Sequence, residues 1–118
     1  MRFMIIVKAT PESEKEGALP DAQLMAEMGK FNEELINAGI VLAMDGLHPS
    51  SKGARVKFSG KSRTVVDGPF TEAKELVAGF WIWKVKSLDE AIEFTKRFLK
   101  VAGDGETELR QLYEQPAK

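Results

Sequence analysis

Two side chains in this sequence have the chemistry of proton transfer, and each follows a predicted strand. Asp67 opens the segment Asp67-Gly68-Pro69-Phe70, and His48 is the chain's single histidine. Imidazole exchanges protons near neutral pH, and a neighbouring carboxylate can orient the ring and stabilise its protonated form. We therefore predict Asp67 and His48 as candidate catalytic residues that act as acid and base if the fold brings them together. A solvated surface histidine is the competing interpretation of His48.

The sequence around Asp67 also leaves two interpretations open. An aspartate in a turn usually accepts a hydrogen bond from the backbone N–H two residues further on. Here that residue is Pro69, which has no N–H. The carboxylate must therefore bind the N–H of Phe70 or Thr71, a basic side chain, or a substrate. It is either an acid that caps the following turn or a functional group at the rim of a sheet.

Several side chains near this corner could bind a ligand. A lysine and a glutamate follow the corner, and they could either hold an ionic substrate or form solvated local ion pairs. The aromatic rings could stack on a ligand, plug the turn, or fill the core of a dimer. The candidate ligand-binding residues are Phe70, Glu72, Lys74, Trp81 and Trp83.

Composition excludes several classes of function. The chain has 118 residues, no cysteine and a formal net charge of −1. It therefore lacks the basic character of a nucleic-acid-binding module and has no thiolate chemistry. With one histidine and no cysteine we expect no metal site, and with no phosphate-binding or dinucleotide-binding motif we expect no cofactor. No apolar run reaches the length of a membrane span or a secretory signal, so we expect a cytosolic protein.

Hydrophobic periodicity predicts six strands and two helices. The predicted strands are Phe3–Ala9, Ile40–Leu47, Ala54–Phe58, Arg63–Val66, Ala78–Lys86 and Glu108–Glu114. The first helix has one apolar stripe at a period of 3.6 residues, with Asp21 as its expected N-cap and Gly39 at its end. Its stripe consists of Leu24, Met28, Phe31 and Leu35. The second helix begins at a capping box, in which Ser87 is the cap and Glu90 lies three residues later.

The order of these elements is β-α-β-(β-β)-β-α-β. Apart from the central hairpin, this is the ferredoxin-like βαββαβ order, an antiparallel sheet with two helices on one face. We therefore predict a single α+β domain over residues 1–118, of ferredoxin-like fold with an inserted β-hairpin. No internal repeat is evident.

The fifth predicted strand is apolar on both of its faces. Trp81 and Trp83 alternate with Phe80 and Ile82, so the two pairs point in opposite directions. Two helices can cover only one face of the sheet, and exposed apolar patches of this size are rare on monomers. We expect the tryptophan face to lie away from the helices, covered by the same face of a second copy in a symmetric homodimer. A small-molecule pocket between the two copies would fit the same pattern.

The stretch VVDGPFTEAKELVAGFWIWKVKSLDEAIEF resembles the DGPF-domain branch of the YCII-related proteins. The similarity continues into AMDGLHPSSKGARVKFSGKSRTV before it and ELRQLYE after it. The resemblance implies a dimeric α+β barrel, and genes of this branch often neighbour those of extracytoplasmic-function sigma factors, which suggests a stress context. The wider group has a proposed His-Asp active site, with its histidine near the start of the first helix. Residues 21–38 contain no histidine, so that pair does not carry over.

Three functions remain open on the sequence. The first is a lyase- or isomerase-type enzyme that acts on a small molecule by proton transfer. The second is a non-catalytic dimeric module that binds a small molecule in a stress-related or regulatory role. The third is a structural or partner-binding dimer in which the Asp67-Gly68-Pro69-Phe70 corner serves architecture alone.

Overall fold

A computed structural model of the chain describes residues 1–15, 22–70, 72, 75–103 and 105–114. The expected N-cap Asp21 and the candidate ligand residue Lys74 lie outside the described residues. The strands are β1 (Arg2–Lys8), β2 (Val41–Gly46), β3 (Ala54–Ser59), β4 (Ser62–Asp67), β5 (Val77–Lys84) and β6 (Thr107–Gln111). The helices are α1 (Ala22–Asn37) and α2 (Leu88–Ala102), and a short 3₁₀ turn spans Ser50–Lys52.

Four strands form an antiparallel sheet in the order β2-β5-β1-β6. Strands β1 and β2 run parallel to each other, with β5 between them. Strands β5 and β6 also run parallel, with β1 between them. Each such pair is joined by one helix, so the sheet contains two interleaved split βαβ units. The predicted ferredoxin-like α+β fold is confirmed. The inserted hairpin, β3 and β4, forms a separate two-stranded sheet.

Local signals set the ends of the helices and the hairpin turn. Ser87 accepts a hydrogen bond from the Glu90 N–H at 3.1 Å, which confirms the predicted cap of α2. The Glu90 carboxylate in turn accepts from the N–H of Lys86 at 3.2 Å. The hairpin turns at Gly60, whose φ of +58° is a conformation that glycine adopts without strain. Within the described residues, no helix is long and apolar enough to cross a membrane.

The core lies between the helices and the face of the sheet that carries the tryptophans. Trp83 is 0% exposed, and Trp81 packs edge-on against Phe98 at 4.8 Å and Phe31 at 6.3 Å between ring centroids. The expectation that the tryptophans face away from the helices is therefore wrong. Strand alternation predicts that both faces of the sheet are apolar. Which face the helices cover depends on the aromatic rings of α1 and α2, and Phe94 of α2 contacts Trp83.

The other face of the sheet carries half-buried apolar side chains, and neither helix of the described part of the chain packs on it. The register places Met4 opposite Ile82 and Ile6 opposite Phe80 on this open face. Asp45, the partner of Phe80 on β2, lies on the same face and is exposed. The sequence predicts one apolar face of the sheet that the helices leave uncovered. That open face carries aliphatic and phenylalanine side chains, not the tryptophans.

The hairpin extends away from the rest of the molecule. We call residues 54–66 the arm and the remaining described residues the body. Every residue of β3 and β4 is exposed. The radius of gyration is 16.4 Å, against about 13.5 Å for a compact chain of this length. One face of the arm carries most of its apolar side chains, with Val56 opposite Val65 and Phe58 beside the cation Arg63.

Candidate functional site

The Asp67-Gly68-Pro69-Phe70 corner fastens the base of the arm to the 3₁₀ turn. The Gly68 N–H donates to the carbonyl of Gly53 at 3.0 Å. The Phe70 N–H donates to Ser50 Oγ, also at 3.0 Å. The Gly68-Pro69 peptide bond is cis. The Phe70 N–H was one predicted hydrogen-bond donor to the Asp67 carboxylate. It donates to Ser50 instead.

Gly68 is required at this corner by close approach of two backbones. A Cβ added at Gly68 would lie 1.7 Å from the carbonyl oxygen of Ser50 and 2.6 Å from its carbonyl carbon. Both distances are far inside van der Waals contact, and the neighbour is backbone that cannot rotate away. The glycine is therefore a packing requirement of the corner, independent of any chemistry at Asp67.

Glu14 holds the other side of the 3₁₀ turn. Its carboxylate accepts from the Ser50 N–H at 3.0 Å and from the Ser50 hydroxyl. Ser50 Oγ thus donates to Glu14 while it accepts from Phe70, and the three residues form one chain of hydrogen bonds. Sequence reasoning missed this role, because nothing local distinguishes Glu14 from Glu12 in the acidic loop after β1.

An open cavity of about 370 Å³ lies beside this chain of hydrogen bonds, and we call it the corner cavity. Its volume is within the range of small-molecule sites. Its polar and charged lining comes from the loop after β1, the end of β2, the 3₁₀ turn and β3. Those side chains are Glu14, His48, Ser50, Lys52 and Arg55, and Phe70 supplies an aromatic wall.

Arg55 is held in place by the aromatic ring of the corner. Its guanidinium carbon lies 3.9 Å from the centroid of the Phe70 ring, within cation–π range. A guanidinium that lies over an aromatic ring keeps its N–H groups at its own edges. There they can bind a carboxylate or phosphate with two hydrogen bonds. The corner cavity therefore combines an imidazole with a positioned cation.

His48 and Asp67 occupy different sides of the arm base. His48 is exposed and lines the corner cavity. Asp67 is exposed and pairs with Ala54, so its side chain points to the arm face opposite Arg55. Asp67 is not among the cavity-lining residues, and neither side chain has a hydrogen-bond or ion-pair partner among the described residues. The pairing of His48 with Asp67 stays a prediction.

The remaining candidate ligand residues are distributed among different places. Phe70 is half-buried and contributes its ring to the corner cavity. Glu72 is exposed, and its carbonyl accepts from the Glu75 N–H at 2.9 Å in a turn. Lys74 lies outside the described residues, so its role as a ligand-binding residue stays a prediction.

The two tryptophans differ in their access to a ligand. Trp81 lines a separate open cavity of about 440 Å³ beside β2, and its indole N–H donates to Asn32 Oδ1 at 3.0 Å. Trp83 is fully buried beneath the helices, which is incompatible with ligand contact in this conformation. The ligand role of Trp83 stays a prediction, for a side chain that packs against Phe94 of α2.

Ion pairs on the body shift the pKa of three carboxyl groups. A hydrogen bond from Arg97 lowers the pKa of Glu34 and links α1 to α2, with a nitrogen–oxygen distance of 2.6 Å. Hydrogen bonding to Arg110, with the charge of Lys8, lowers the pKa of Glu108 on β6. Arg2 lowers the pKa of Glu114 in the same way. These pairs join elements of the body at its surface.

Among the residues that the structure describes, no group of three or more histidine, aspartate and glutamate side chains is arranged to hold a metal ion. The corner cavity is lined by His48, the Glu14–Ser50 pair and the cations Arg55 and Lys52.

The fold and the corner together define a ferredoxin-like α+β domain with an inserted hairpin. The sequence profile of the YCII-related domain matches residues 1–114, and the chain belongs to the YCII-related family. An uncharacterized protein of Rhizobium meliloti (strain 1021) is 32% identical over 76 residues, which is 64% of this chain. The chain spans about three fifths of the length of that curated relative, 61% of it.

A solved structure is also similar over nearly the whole chain. It is the 5-chloro-2-hydroxyhydroquinone dehydrochlorinase TftG of Burkholderia phenoliruptrix AC1100, in complex with 2,5-dihydroxybenzoquinone. The sequence identity is 17% and the TM-score is 0.47, with 98% of this chain and 96% of that chain covered.

Proposed function

We propose that this chain is a lyase- or isomerase-type enzyme that acts on a small anionic molecule by proton transfer in the corner cavity. The observation that carries the proposal is the presence of His48 and Arg55 on one cavity, beside the Phe70 ring. Arg55 would bind the anionic group of the substrate. His48 would then lie over the part of the substrate that exchanges a proton.

The chemistry follows from an imidazole placed near a substrate that is held by its charge. His48 in its neutral form accepts a proton from a carbon next to a carbonyl group, which leaves an enolate on the substrate. Return of the proton to a different atom completes an isomerisation. Departure of a leaving group with its electron pair from the adjacent carbon completes an elimination. The Arg55 cation stabilises the negative charge that develops in both cases.

Asp67 is proposed as the second proton-transfer group of the site. Its carboxylate is exposed at the end of β4, next to the corner, and has no partner among the described residues. It is on the opposite side of the arm from Arg55, so a small change of the arm base or a second copy would have to bring it to the substrate. Replacement by asparagine tests its role directly.

We further propose that the chain belongs to the DGPF branch of its family and forms a homodimer through the open face of the sheet. The branch assignment is supported by the way the corner uses Gly68 and Phe70 to hold the 3₁₀ turn. The dimer is supported by the apolar side chains Ile6, Phe80 and Ile82, which no helix covers. The cytosolic location stays a prediction from the sequence.

The test combines binding with isotope exchange. Pyruvate and phenylpyruvate are suitable probes, because each has a carboxylate for Arg55 and C–H bonds next to a carbonyl. Binding at 100 times Kd would stabilise the fold by about 2.7 kcal/mol in a thermal-shift assay. We expect Arg55→Gln to lose this shift and Arg63→Gln, a matched change on the opposite arm face, to keep it.

Deuterium exchange then separates catalysis from binding. In deuterated water the wild-type chain should accelerate exchange of the probe's C–H hydrogens, and His48→Gln should bind the probe without accelerating exchange. Asp67→Asn should reduce the exchange rate if Asp67 is the second group. Exchange that is unchanged by His48→Gln would contradict the proposed mechanism.

A non-catalytic small-molecule-binding module is the alternative function. It is favoured by the stacking of Arg55 on Phe70, which makes a binding surface that needs no proton-transfer group. This alternative predicts a thermal shift that depends on Arg55, with no exchange above the buffer rate for any variant.

A further inference from the structure

We propose that the arm of each chain docks on the body of a second copy, against the edge of the sheet formed by β2. We define the β2 edge as Leu42, Met44 and Leu47. The docking is reciprocal, so that two arms and two β2 edges form one closed symmetric contact. This contact is distinct from the packing of open faces.

The apolar face of the arm is the first observation. Val56 is 71% exposed, Phe58 67% and Val65 64%, and all three lie on one face of the two-stranded arm. An isolated two-stranded hairpin is marginally stable in water and needs packing on one of its faces. Its own body does not supply this packing, because every residue of β3 and β4 is exposed.

The β2 edge offers a matching apolar surface. Leu42 is 50% exposed, Met44 41% and Leu47 51%. Leu42 and Met44 lie on β2, the outer strand of the sheet, and Leu47 follows it. The neighbouring Asp45 is also exposed, and it lies on the open face opposite Phe80.

Charge separates the arm from the body. Of the chain's 17 lysine and arginine residues, four lie in the arm, and none of its 18 aspartate and glutamate residues do. The arm therefore carries +4 and the rest of the chain −5, although the whole chain is close to neutral. A basic arm and an acidic remainder attract each other between copies. The arm cations are Arg55, Lys57, Lys61 and Arg63.

The base of the arm fixes the direction in which it extends. The hydrogen bonds of Gly68 and Phe70 and the stacking of Arg55 all lie at this base. The arm is therefore presented outward from a fixed corner. A surface presented in this way suits a partner of fixed shape, and a second copy provides one.

A pair of charge substitutions tests the proposal. Val65→Asp places a carboxylate on the apolar face, and Thr64→Asp places the same charge on the opposite face. In sedimentation equilibrium we expect Val65→Asp to raise the dimer dissociation constant at least about tenfold. Thr64→Asp should leave it close to that of the wild type. Equal effects of the two substitutions, or a wild-type chain that is monomeric at all concentrations, would overturn the proposal.

A second measurement does not depend on how well Val65→Asp folds. The chain has no cysteine, so a nitroxide can be attached at Lys61→Cys alone. After mixing with ¹⁵N-labelled unmodified chain, we expect broadening of the amide signals of the β2 edge in the labelled copy. A label at Glu93→Cys, on the exposed side of α2, should not broaden them. Dimers without this arm-dependent broadening would contradict arm docking and leave the open-face dimer standing.

Discussion

Gly68 and Ser50 show how a single residue type can be fixed by a contact distant in sequence. The glycine is needed because the carbonyl of Ser50 occupies the space of a side chain. Ser50 is in turn held by Glu14, whose carboxylate accepts two of its hydrogen bonds. These contacts hold the corner together. The side chain of Asp67 takes no part in them.

Gly68→Ala should destabilise the fold by roughly 1–3 kcal/mol, because the added methyl group must displace backbone. Gly29→Ala is the matched control, since a Cβ there meets nothing within 4 Å. Gly29 lies inside α1, so this change should stabilise by up to about 1 kcal/mol. Urea unfolding of both variants measures the difference, and similar stabilities would contradict the close approach at Gly68.

Glu14→Gln should destabilise the 3₁₀ turn by about 1 kcal/mol, since it replaces charge-assisted hydrogen bonds to Ser50 with neutral ones. Glu12→Gln changes an exposed glutamate in the same loop and should stay within about 0.5 kcal/mol of the wild type. Chemical denaturation gives both values. If the two variants are alike, Glu14 does not hold the turn in solution.

At the scale of elements, local patterns predict the caps and the fold, and they fail where packing decides. The serine and glutamate that open α2 are three residues apart, and this local spacing predicts the cap. The alternation in β5 correctly separates Trp81 and Trp83 from Phe80 and Ile82. Which face receives the helices depends on rings from α1 and α2, distant in sequence, and no local signal carries that choice.

The same limit applies to the candidate site. His48 was predicted from its chemistry, and it lines the corner cavity. The Glu14–Ser50 pair was not predicted, because it joins residues 36 positions apart. Arg55 is not among the candidate site residues predicted from the sequence, because its contact with the Phe70 ring depends on the position of the corner.

The ion pair between α1 and α2 predicts a dependence of stability on pH. Arg97 lowers the pKa of Glu34, so the ionised carboxyl favours the folded state. This stabilisation is fully present above the ordinary carboxyl pKa and is lost as the pH falls through the lower, folded-state pKa. Glu34→Gln should therefore reduce the melting temperature at pH 7, and this difference from the wild type should vanish in acid.

The neighbouring Glu33→Gln is the control for that measurement, because it removes the same charge from an exposed position of α1. The difference in melting temperature between Glu33→Gln and the wild type should be nearly the same at pH 7 and in acid. A Glu34→Gln effect that persists unchanged in acid would show that the ion pair is not its cause.

At the scale of the whole molecule, the arm and the open face remain without cover in a single chain. The opposite charges of arm and body predict that self-association weakens as salt is added, because screening acts on exposed charges. Sedimentation at low and at high ionic strength measures this. Association that strengthens with salt would indicate a contact governed by apolar burial alone.

The central claim is that the corner cavity binds a small anion beside His48, and the single histidine makes it directly observable. The His48 imidazole gives one set of NMR signals, which can be recorded as phenylpyruvate is added. We predict that these signals shift in a saturable way and that Arg55→Gln abolishes the shift. Unchanged His48 signals at ligand concentrations that stabilise the fold would place the binding site elsewhere and contradict the account.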